Sequence, residues 1–353
     1  MSNDRTNLMT VRHAKFFQRT LAVLPSHFAG FDTQRVTIAY FALSGLDLLN
    51  ELELIKNNSS SIISWLYKCL ISPEPECELK DVKNEQKSGF RGSPSLKLSS
   101  CALPTHSFDH GHIAMTYTAL ASLLVLGDDL SRINRKAIIS GVQALQLPDG
   151  SYKAALEGGE NDMRFLYCAA AICSILNDWN GMNTDSAVSY VLSSISYEGG
   201  IGQGPGLEAH GGSTYCGVAA LHLMGRLEEL GESRRKRLIH WCLNRQVQGS
   251  GFMGRPNKPE DTCYSFWVGA TLSLLGKLHL CDKASSRSFV LSTQDPVIGG
   301  MAKWVDTQAD PLHTYLGLSG LGIQGEEAVE KVDPALNISL RTSERLKNLQ
   351  KLW

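Results

Sequence analysis

Apolar positions along this chain recur with the 3.6-residue period of helices, in two kinds of segment that alternate. The first kind is apolar nearly all round and rich in Ala, Gly, Cys and aromatics: MRFLYCAAAICSIL after Asp162, GGSTYCGVAALHLM after His210, TCYSFWVGATLSLL after Asp261 and PLHTYLGLSGLGI after Asp310. The second kind is amphipathic, as in RRKRLIHWCLNRQ after Ser233 and INRKAIISGVQALQ after Arg132. A helix apolar on every face is packed on every face, whereas an amphipathic one turns its polar side to water. No run of strict alternation bounded by Asn-Gly or Asp-Gly turns is present, so strand signals are scarce.

The two kinds form a repeat. The openings Asp162, His210, Asp261 and Asp310 are separated by 48, 51 and 49 residues. Each follows a Gly-bearing turn: Gln146 to Gly150, Tyr197 to Gly200, Gln246 to Gly249 and Gln294 to Gly300. A fifth copy precedes them, Gly89-Phe-Arg-Gly92 followed by HGHIAMTYTALASLLVLG after Asp109, stretched by a Ser/Lys/Pro-rich insertion over about 94–106. A degenerate sixth lies in RVTIAYFALSGLDLL after Gln34. A self-similar period of this length means stacked supersecondary units, here helical hairpins with buried inner and solvated outer helices. Both end copies keep apolar inner helices and lack the polar face that caps an open solenoid. The expected fold is therefore all-α, a closed α/α barrel or toroid of about six hairpins, with 1–353 as one domain. Equivalent helix starts gather at one end of such a barrel, and a concave apolar funnel with polar groups at its mouth is the expected ligand site.

Composition narrows the partners. Of 353 residues, 43% are AVILMFWYC, and 34 Lys+Arg stand against 35 Asp+Glu, a formal charge of −1. That balance excludes a polycationic nucleic-acid binder, which needs a surplus of cations to neutralise phosphates. The longest nearly apolar stretch, Ala119 to Leu126, falls far short of the roughly 20 residues a bilayer span requires. The first twenty residues scatter charges of both signs and lack the apolar block of a signal peptide, so a cytoplasmic chain is expected. The nine cysteines are odd in number and contain no CxxC pair, and they read as reduced thiols that mostly fill the core.

Three constellations carry candidate chemistry. Asp261 and Cys263 open one inner helix, and His313 lies near the start of the next, one step from the position equivalent to Cys263. Adjacent helices would bring a carboxylate, a thiol and an imidazole together, three ligands that leave a fourth position of a zinc ion open. The same spacing is equally that of helix N-caps at Asp261 and Asp310 with Cys263 in the core. Arg255 and Lys258 occupy the loop before Asp261, His210 opens the preceding inner helix among glycines, and Lys303 lies in the following loop. Cations and a His at a helix start suit a diphosphate, although no nucleotide-binding P-loop or GxGxxG motif is present. Tyr117, Phe165, Tyr167, Tyr215, Tyr264, Phe266, Trp267 and Tyr315 place aromatics on the inner helices, where they either fill an ordinary core or line a lumen for a lipid chain.

The stretches DMRFLYCAAAIC, GLEAHGGSTYCGVAAL, GRPNKPEDTCYSFWVGATL and DPLHTYLGLSGL resemble the β subunits of the protein prenyltransferases over nearly the whole chain, most closely the geranylgeranyl-transferring type I branch. The resemblance implies a heterodimer with a helical-repeat α subunit. It also implies transfer of a C20 chain from geranylgeranyl diphosphate to the cysteine of CaaX-motif proteins such as small GTPases, chiefly those ending in Leu. Carried over position by position, it makes Asp261, Cys263 and His313 ligands of one Zn2+, and His210, Arg255, Lys258 and Tyr264 diphosphate-binding residues. Where farnesyltransferases hold magnesium with an Asp, this chain has Lys303, which implies zinc dependence without a Mg2+ requirement. Where they carry a Trp at the floor of the lumen, it has Thr37, beside Phe41, leaving room for a fourth isoprene unit. Arg164, His112, Ala114, Phe165 and Leu312 match peptide-side positions. The turn before Arg255 is longer than the family pattern, and the 94–106 insertion has no counterpart in it. A farnesyltransferase β subunit and a non-catalytic barrel with structural zinc are the alternatives; Thr37 and Lys303 speak against the first.

Overall fold

The computed structural model describes residues 7–24, 26–71, 86–97 and 110–353. Its helices, in chain order, begin with α1 (Thr10–Ala22), α2 (Arg35–Leu48), α3 (Ser59–Lys68), α4 (Ile113–Val125), α5 (Arg135–Gln143) and α6 (Met163–Leu176). They continue with α7 (Thr184–Ser193), α8 (Gly211–Leu223), α9 (Gly231–Leu243), α10 (Tyr264–Leu274), α11 (Lys283–Ser292), α12 (Pro311–Gln324) and α13 (Leu340–Gln350). Helix α2 packs on α4, α4 on α6, α6 on α8, α8 on α10, α10 on α12, and α12 returns to α2. That ring is the closed α/α toroid expected from the repeat, and the even-numbered helices form its inner wall. Wall helices are buried on nearly every face; in α6, Leu166, Ala169, Ala170, Ala171, Ile172 and Cys173 are fully buried. Truncating a residue such as Leu166 to Ala would cost about 2–5 kcal/mol in lost transfer energy and cavity formation.

The glutamines that mark the Gly turns act as rivets between outer helices. Gln146 accepts from the Asn183 amide at 2.7 Å and donates to its carbonyl at 3.0 Å, which fixes the start of α7. Gln246 does the same to Asp282 at the start of α11, at 3.0 and 2.7 Å. Gln294 closes the ring: it accepts from the Met9 amide at 2.9 Å and donates to the Asn7 carbonyl at 3.1 Å, so α1 serves as the outer helix beside the last unit. In the remaining turn Ile195 replaces the glutamine. His13 of α1 adds to this clasp, with Nδ1 accepting from the Gly300 amide at 2.9 Å and Nε2 bonded to Gln294 Oε1 at 2.8 Å.

Three two-stranded antiparallel ribbons complete the described fold. They pair β1 (Leu70–Ile71) with β2 (Gly89–Phe90), β3 (Met301–Ala302) with β4 (Ala309–Asp310), and β5 (Val332–Asp333) with β6 (Ile338–Ser339). Helix α13 crosses the end of the barrel opposite the inner-helix starts. Arg341 donates to the Asp47 carbonyl at 3.1 Å, Arg345 to the Leu124 carbonyl at 2.9 Å, and Gln350 to the Ser174 and Ile175 carbonyls at 2.7 and 3.1 Å. One helix thus adds side-chain hydrogen bonds to the C-terminal carbonyls of α2, α4 and α6 in turn.

Two helix starts differ from the sequence reading. The inner helix of the fifth copy is capped by His112, whose Nδ1 accepts from the Ala114 amide at 3.2 Å; Asp109 lies outside the described residues. Helix α10 starts at Tyr264, because the chain spends Asp261 to Cys263 in a tighter turn closed by Tyr264 N–H to the Asp261 carbonyl at 3.1 Å. Of the 94–106 insertion, Pro94–Leu96 form a short 3-10 turn and 98–106 lie outside the described residues. Among the described residues seven cysteines are free and all but Cys281 are buried, in line with reduced core thiols.

Candidate active site

The metal triad is built by two neighbouring wall helices. The turn at Asp261 presents its carboxylate and the Cys263 thiol, and α12 presents His313 from its first turn. One ligand atom from each of the three lies within 4.8 Å of the other two. His313 Nε2 is 3.3 Å from Asp261 Oδ1, and Asp261 Oδ1 also accepts from the Cys263 amide at 3.0 Å. Asp310 does two jobs in the same turn: Oδ1 accepts from the His313 amide at 2.9 Å as an N-cap, and Oδ2 takes the Nδ1 proton at 2.6 Å. Nδ1 occupied in this way leaves Nε2 to face Asp261 and Cys263, the arrangement in which a carboxylate orients a metal-binding imidazole.

The electrostatics of the triad fit a divalent cation. Burial pushes the Cys263 thiol well above its ordinary range, and the Asp261 charge adds to the effect. Burial also works against a charged His313, but hydrogen bonds to Asp261 and Asp310 outweigh it and hold the imidazole up to about 9. Asp261 is raised by burial and lowered more by His313 and the Cys263 groups, ending below the usual carboxylate range. The Asp261 carboxylate and a reluctant thiol converge on Nε2 of an imidazole that Asp310 holds from its other nitrogen, with the Lys303 ammonium 3.7 Å from Asp261. An O, S and N donor set of this kind suits zinc.

The diphosphate candidates gather beside it. His210 Nδ1 accepts from the Gly212 amide at 3.1 Å to cap α8, so Nε2 carries the proton and donates to the Tyr264 hydroxyl at 2.8 Å. The phenol proton of Tyr264 is then directed away from His210, and burial together with the Asp261 charge keeps that proton in place. Burial and the neighbouring Arg255 guanidinium hold His210 below its ordinary range, hence neutral. Arg255 is paired with Glu208 at 2.6 Å, a partner the sequence reading missed. Lys258 is exposed in the same loop, its amide reaching the Arg255 carbonyl at 3.4 Å. Lys303 Nζ stands 3.7 Å from Asp261 Oδ2 and 4.3 Å over the Trp304 ring.

The loop before Arg255 keeps the shape of its counterparts despite its different sequence. Gln246 pairs with Phe252 as Gln146 pairs with Tyr152, and the Gly254 carbonyl accepts from the Gly211 amide at 2.7 Å. A side chain at Gly254 would run into the Tyr264 ring, so a glycine is required there.

The remaining candidates lie on the inner-wall helices or at their starts. Thr37 Oγ1 lies 3.3 Å from Met115 Sδ and 3.4 Å from Thr118 Oγ1 across α4, and Phe41 packs 5.9 Å from the Tyr315 ring. Both keep partial exposure, as does Ala114 at the start of α4. The His112 and Phe165 rings meet edge-on at 6.0 Å. Arg164 is held by Asp162 and Glu160, each at 2.6 Å, with its guanidinium 5.1 Å over Phe165. Leu312 sits between the Asp310 cap and His313, partly buried.

Comparison with known proteins agrees with this geometry. Residues 8–338 match the prenyltransferase alpha-alpha toroid domain. The geranylgeranyl transferase type-1 subunit beta of Dictyostelium discoideum is 39% identical, covering 94% of this chain and 95% of that protein. The subunit of the same name from Arabidopsis thaliana is 37% identical, covering 96% and 91%. The structure of Candida albicans protein geranylgeranyltransferase-I complexed with GGPP superposes with a TM-score of 0.87 at 26% identity, covering 97% of this chain and 99% of that one. The chain belongs to the prenyltransferase alpha-alpha toroid family, among the β subunits of type-1 geranylgeranyl transferases.

Proposed function

We propose that this chain is the catalytic β subunit of a cytoplasmic heterodimer that moves a geranylgeranyl group from its diphosphate to the cysteine of C-terminal CaaX motifs, chiefly those ending in Leu. The observation that carries the reading is the meeting of the Asp261–Cys263–His313 triad with His210 and Tyr264 at one end of the toroid. No helix among the described residues is long and apolar enough to cross a membrane. Asp261, Cys263 and His313 would hold zinc, with a fourth position left to the substrate cysteine. Zinc bound there supplies Lewis acidity that lowers the pKa of a substrate thiol, so that the nucleophile is a thiolate near neutral pH.

This chain's own residues serve the other partner. The sulfur–carbon bond forms at C1 of the donor as the C1–oxygen bond breaks, and negative charge grows on the departing diphosphate. Tyr264 and Arg255 donate hydrogen bonds to that charge, with Lys258 and Lys303 adding positive field, and preorganised donors of this kind stabilise the transition state more than the ground state. Glu208 holds Arg255 until a diphosphate takes its place. His210 keeps the Tyr264 phenol oriented and supplies a neutral N–H. Thr37 and Phe41 face the isoprenoid, and Arg164, His112, Ala114, Phe165 and Leu312 face the peptide.

The test is co-expression with a prenyltransferase α subunit and assay of the purified complex with C15 and C20 diphosphates against a peptide ending in Cys-a-a-Leu. Transfer of the C20 chain in preference to the C15 chain supports the reading. A complex that carries only C15, or none that forms, refutes it.

A further inference from the structure

The residue that follows each of four inner-helix openings donates its amide to the loop of the next unit. Ile113 reaches the Ala154 carbonyl at 2.9 Å, Met163 that of Gln203 at 2.9 Å, Gly211 that of Gly254 at 2.7 Å and Thr262 that of Lys303 at 3.2 Å. The repeat therefore fixes one backbone bond at this position. Of the four side chains there, only that of Thr262 carries a hydrogen-bond donor. Its hydroxyl belongs to a fully buried residue and donates to the Ala302 carbonyl at 2.7 Å, with the Lys303 carbonyl at 3.2 Å and the Thr293 hydroxyl at 3.1 Å.

Helix α12 takes hold of the same segment from the other side. The Met301 amide donates to Thr314 Oγ1 at 2.8 Å, and that hydroxyl donates to the Asp310 carbonyl at 2.6 Å. This second contact recurs in two other units, where the Phe90 and Ile201 amides reach Thr116 and Thr214 at 2.9 and 3.0 Å. The hydroxyl contact of Thr262 has no such counterpart. Strand β3 and Lys303 thus form a strap, held at Met301 by the residue after His313 and at Ala302 and Lys303 by the residue between Asp261 and Cys263. The Thr262 methyl closes the same gap: a side chain at Gly317, one turn beyond His313, would run into it. The extra hydroxyl therefore falls where two helices hold three ligand atoms within 4.8 Å of one another, and where Lys303 Nζ stands 3.7 Å from Asp261.

We propose that Thr262 is a positioning residue for the metal triad: through β3 its hydroxyl sets the separation between the Asp261–Cys263 turn and the start of α12, and brings Lys303 beside Asp261. It touches no reacting atom. The proposal rests on the zinc reading above and names a residue outside the ligand set on which that site depends. The experiment uses the heterodimer stripped of metal, titrated with zinc against a chelator and with Co2+ by its visible absorption. Thr262→Val keeps the shape and a methyl but loses the O–H, whereas Thr262→Ser keeps the O–H. Zinc affinity should fall about tenfold or more in Thr262→Val, the scale of losing a group that orients a metal ligand, and stay within about twofold of the parent in Thr262→Ser. The Co2+ spectrum should change in position and intensity in the valine variant and match the parent in the serine variant. Thr262→Ala serves where the valine variant fails to fold, with the same loss expected. A valine variant that melts lower yet binds both metals as the parent does overturns the proposal and leaves Thr262 as scaffold, and equal losses in the valine and serine variants overturn it as well. A parent heterodimer that takes up no zinc would refute the zinc reading itself, a different outcome from either.

Discussion

Asp310 Oδ2 holds His313 Nδ1 at 2.6 Å while its other oxygen caps the helix that carries the same histidine. One side chain therefore sets both where His313 sits and which nitrogen it offers. Asp310→Asn keeps an oxygen for the cap but loses the negative charge opposite Nδ1. Zinc affinity should fall about 10- to 100-fold with little change in thermal stability, measured by competition with a chelator. Asp310→Ala should lose the same affinity and about 1 kcal/mol of stability besides.

Zinc binding should release protons. His313 holds its proton up to about 9 and the Cys263 thiol stays protonated higher still, so both must give one up to become ligands. Apparent zinc affinity should rise with about two powers of ten per pH unit between 6.5 and 8.5. Calorimetry in buffers of different ionisation enthalpy would count the protons. In protein stripped of metal, the raised His313 pKa favours folding fully below about 6.5, and this contribution fades as pH climbs through 9.

The donor pocket offers a volume test. Thr37 keeps partial exposure where α2 meets α4, its hydroxyl touching Met115 and Thr118, and Thr37→Trp would put a large ring at that position. The preference for C20 over C15 diphosphate should reverse, read as the ratio of the two kcat/KM values. An unchanged ratio would place the floor of the isoprenoid site elsewhere.

Lys303 supplies a fixed positive charge 3.7 Å from Asp261. Lys303→Asp should slow transfer in the absence of magnesium and create a magnesium dependence that the parent lacks. Indifference of the variant to added magnesium would count against the exchange of one cation for another.

The amino-terminal clasp should open in acid. His13 is buried with its two ring nitrogens committed to Gly300 and Gln294, and burial brings its pKa down to about 4, the Gln294 bond offsetting only part. The unfolded chain takes up a proton near 6.5 that the folded chain refuses, so stability falls as pH drops from 6.5 to 4, by about 3 kcal/mol at the end of that window. Thermal midpoints of the parent and of His13→Asn across that range check the slope, which should be shallower in the variant.

The toroid was legible because its period is written in residues that pack: each inner helix repeats the same apolar face. The triad was legible because Asp261, Cys263 and His313 fall at equivalent starts of neighbouring units. What stayed hidden had no repeat to reveal it. Tyr40, Tyr117, Tyr167, Tyr215 and Tyr315 donate to the carbonyls of Ala335–Asn337, a tip that occurs once, so in the sequence they looked like undifferentiated core or lipid lining. Helix α1 is separated from its partner turn by most of the chain, and the contacts that join them, from Gln294, His13 and Arg19, follow no repeat. Glu208 belongs to a loop, and a carboxylate in a loop carries no signal that it faces Arg255. The second task of Asp310 was masked by its first, since an aspartate at a helix start is already explained by capping.

The central claim is that the triad is a zinc centre on which transfer depends. The most direct measurement is zinc content and single-turnover transfer of the C20 chain by the heterodimer carrying Cys263→Ala beside the parent. The account predicts one zinc per parent heterodimer and, in the variant, loss of most of that zinc together with at least a hundredfold slower transfer, about 2.7 kcal/mol of barrier. A variant that transfers at the parental rate would contradict it.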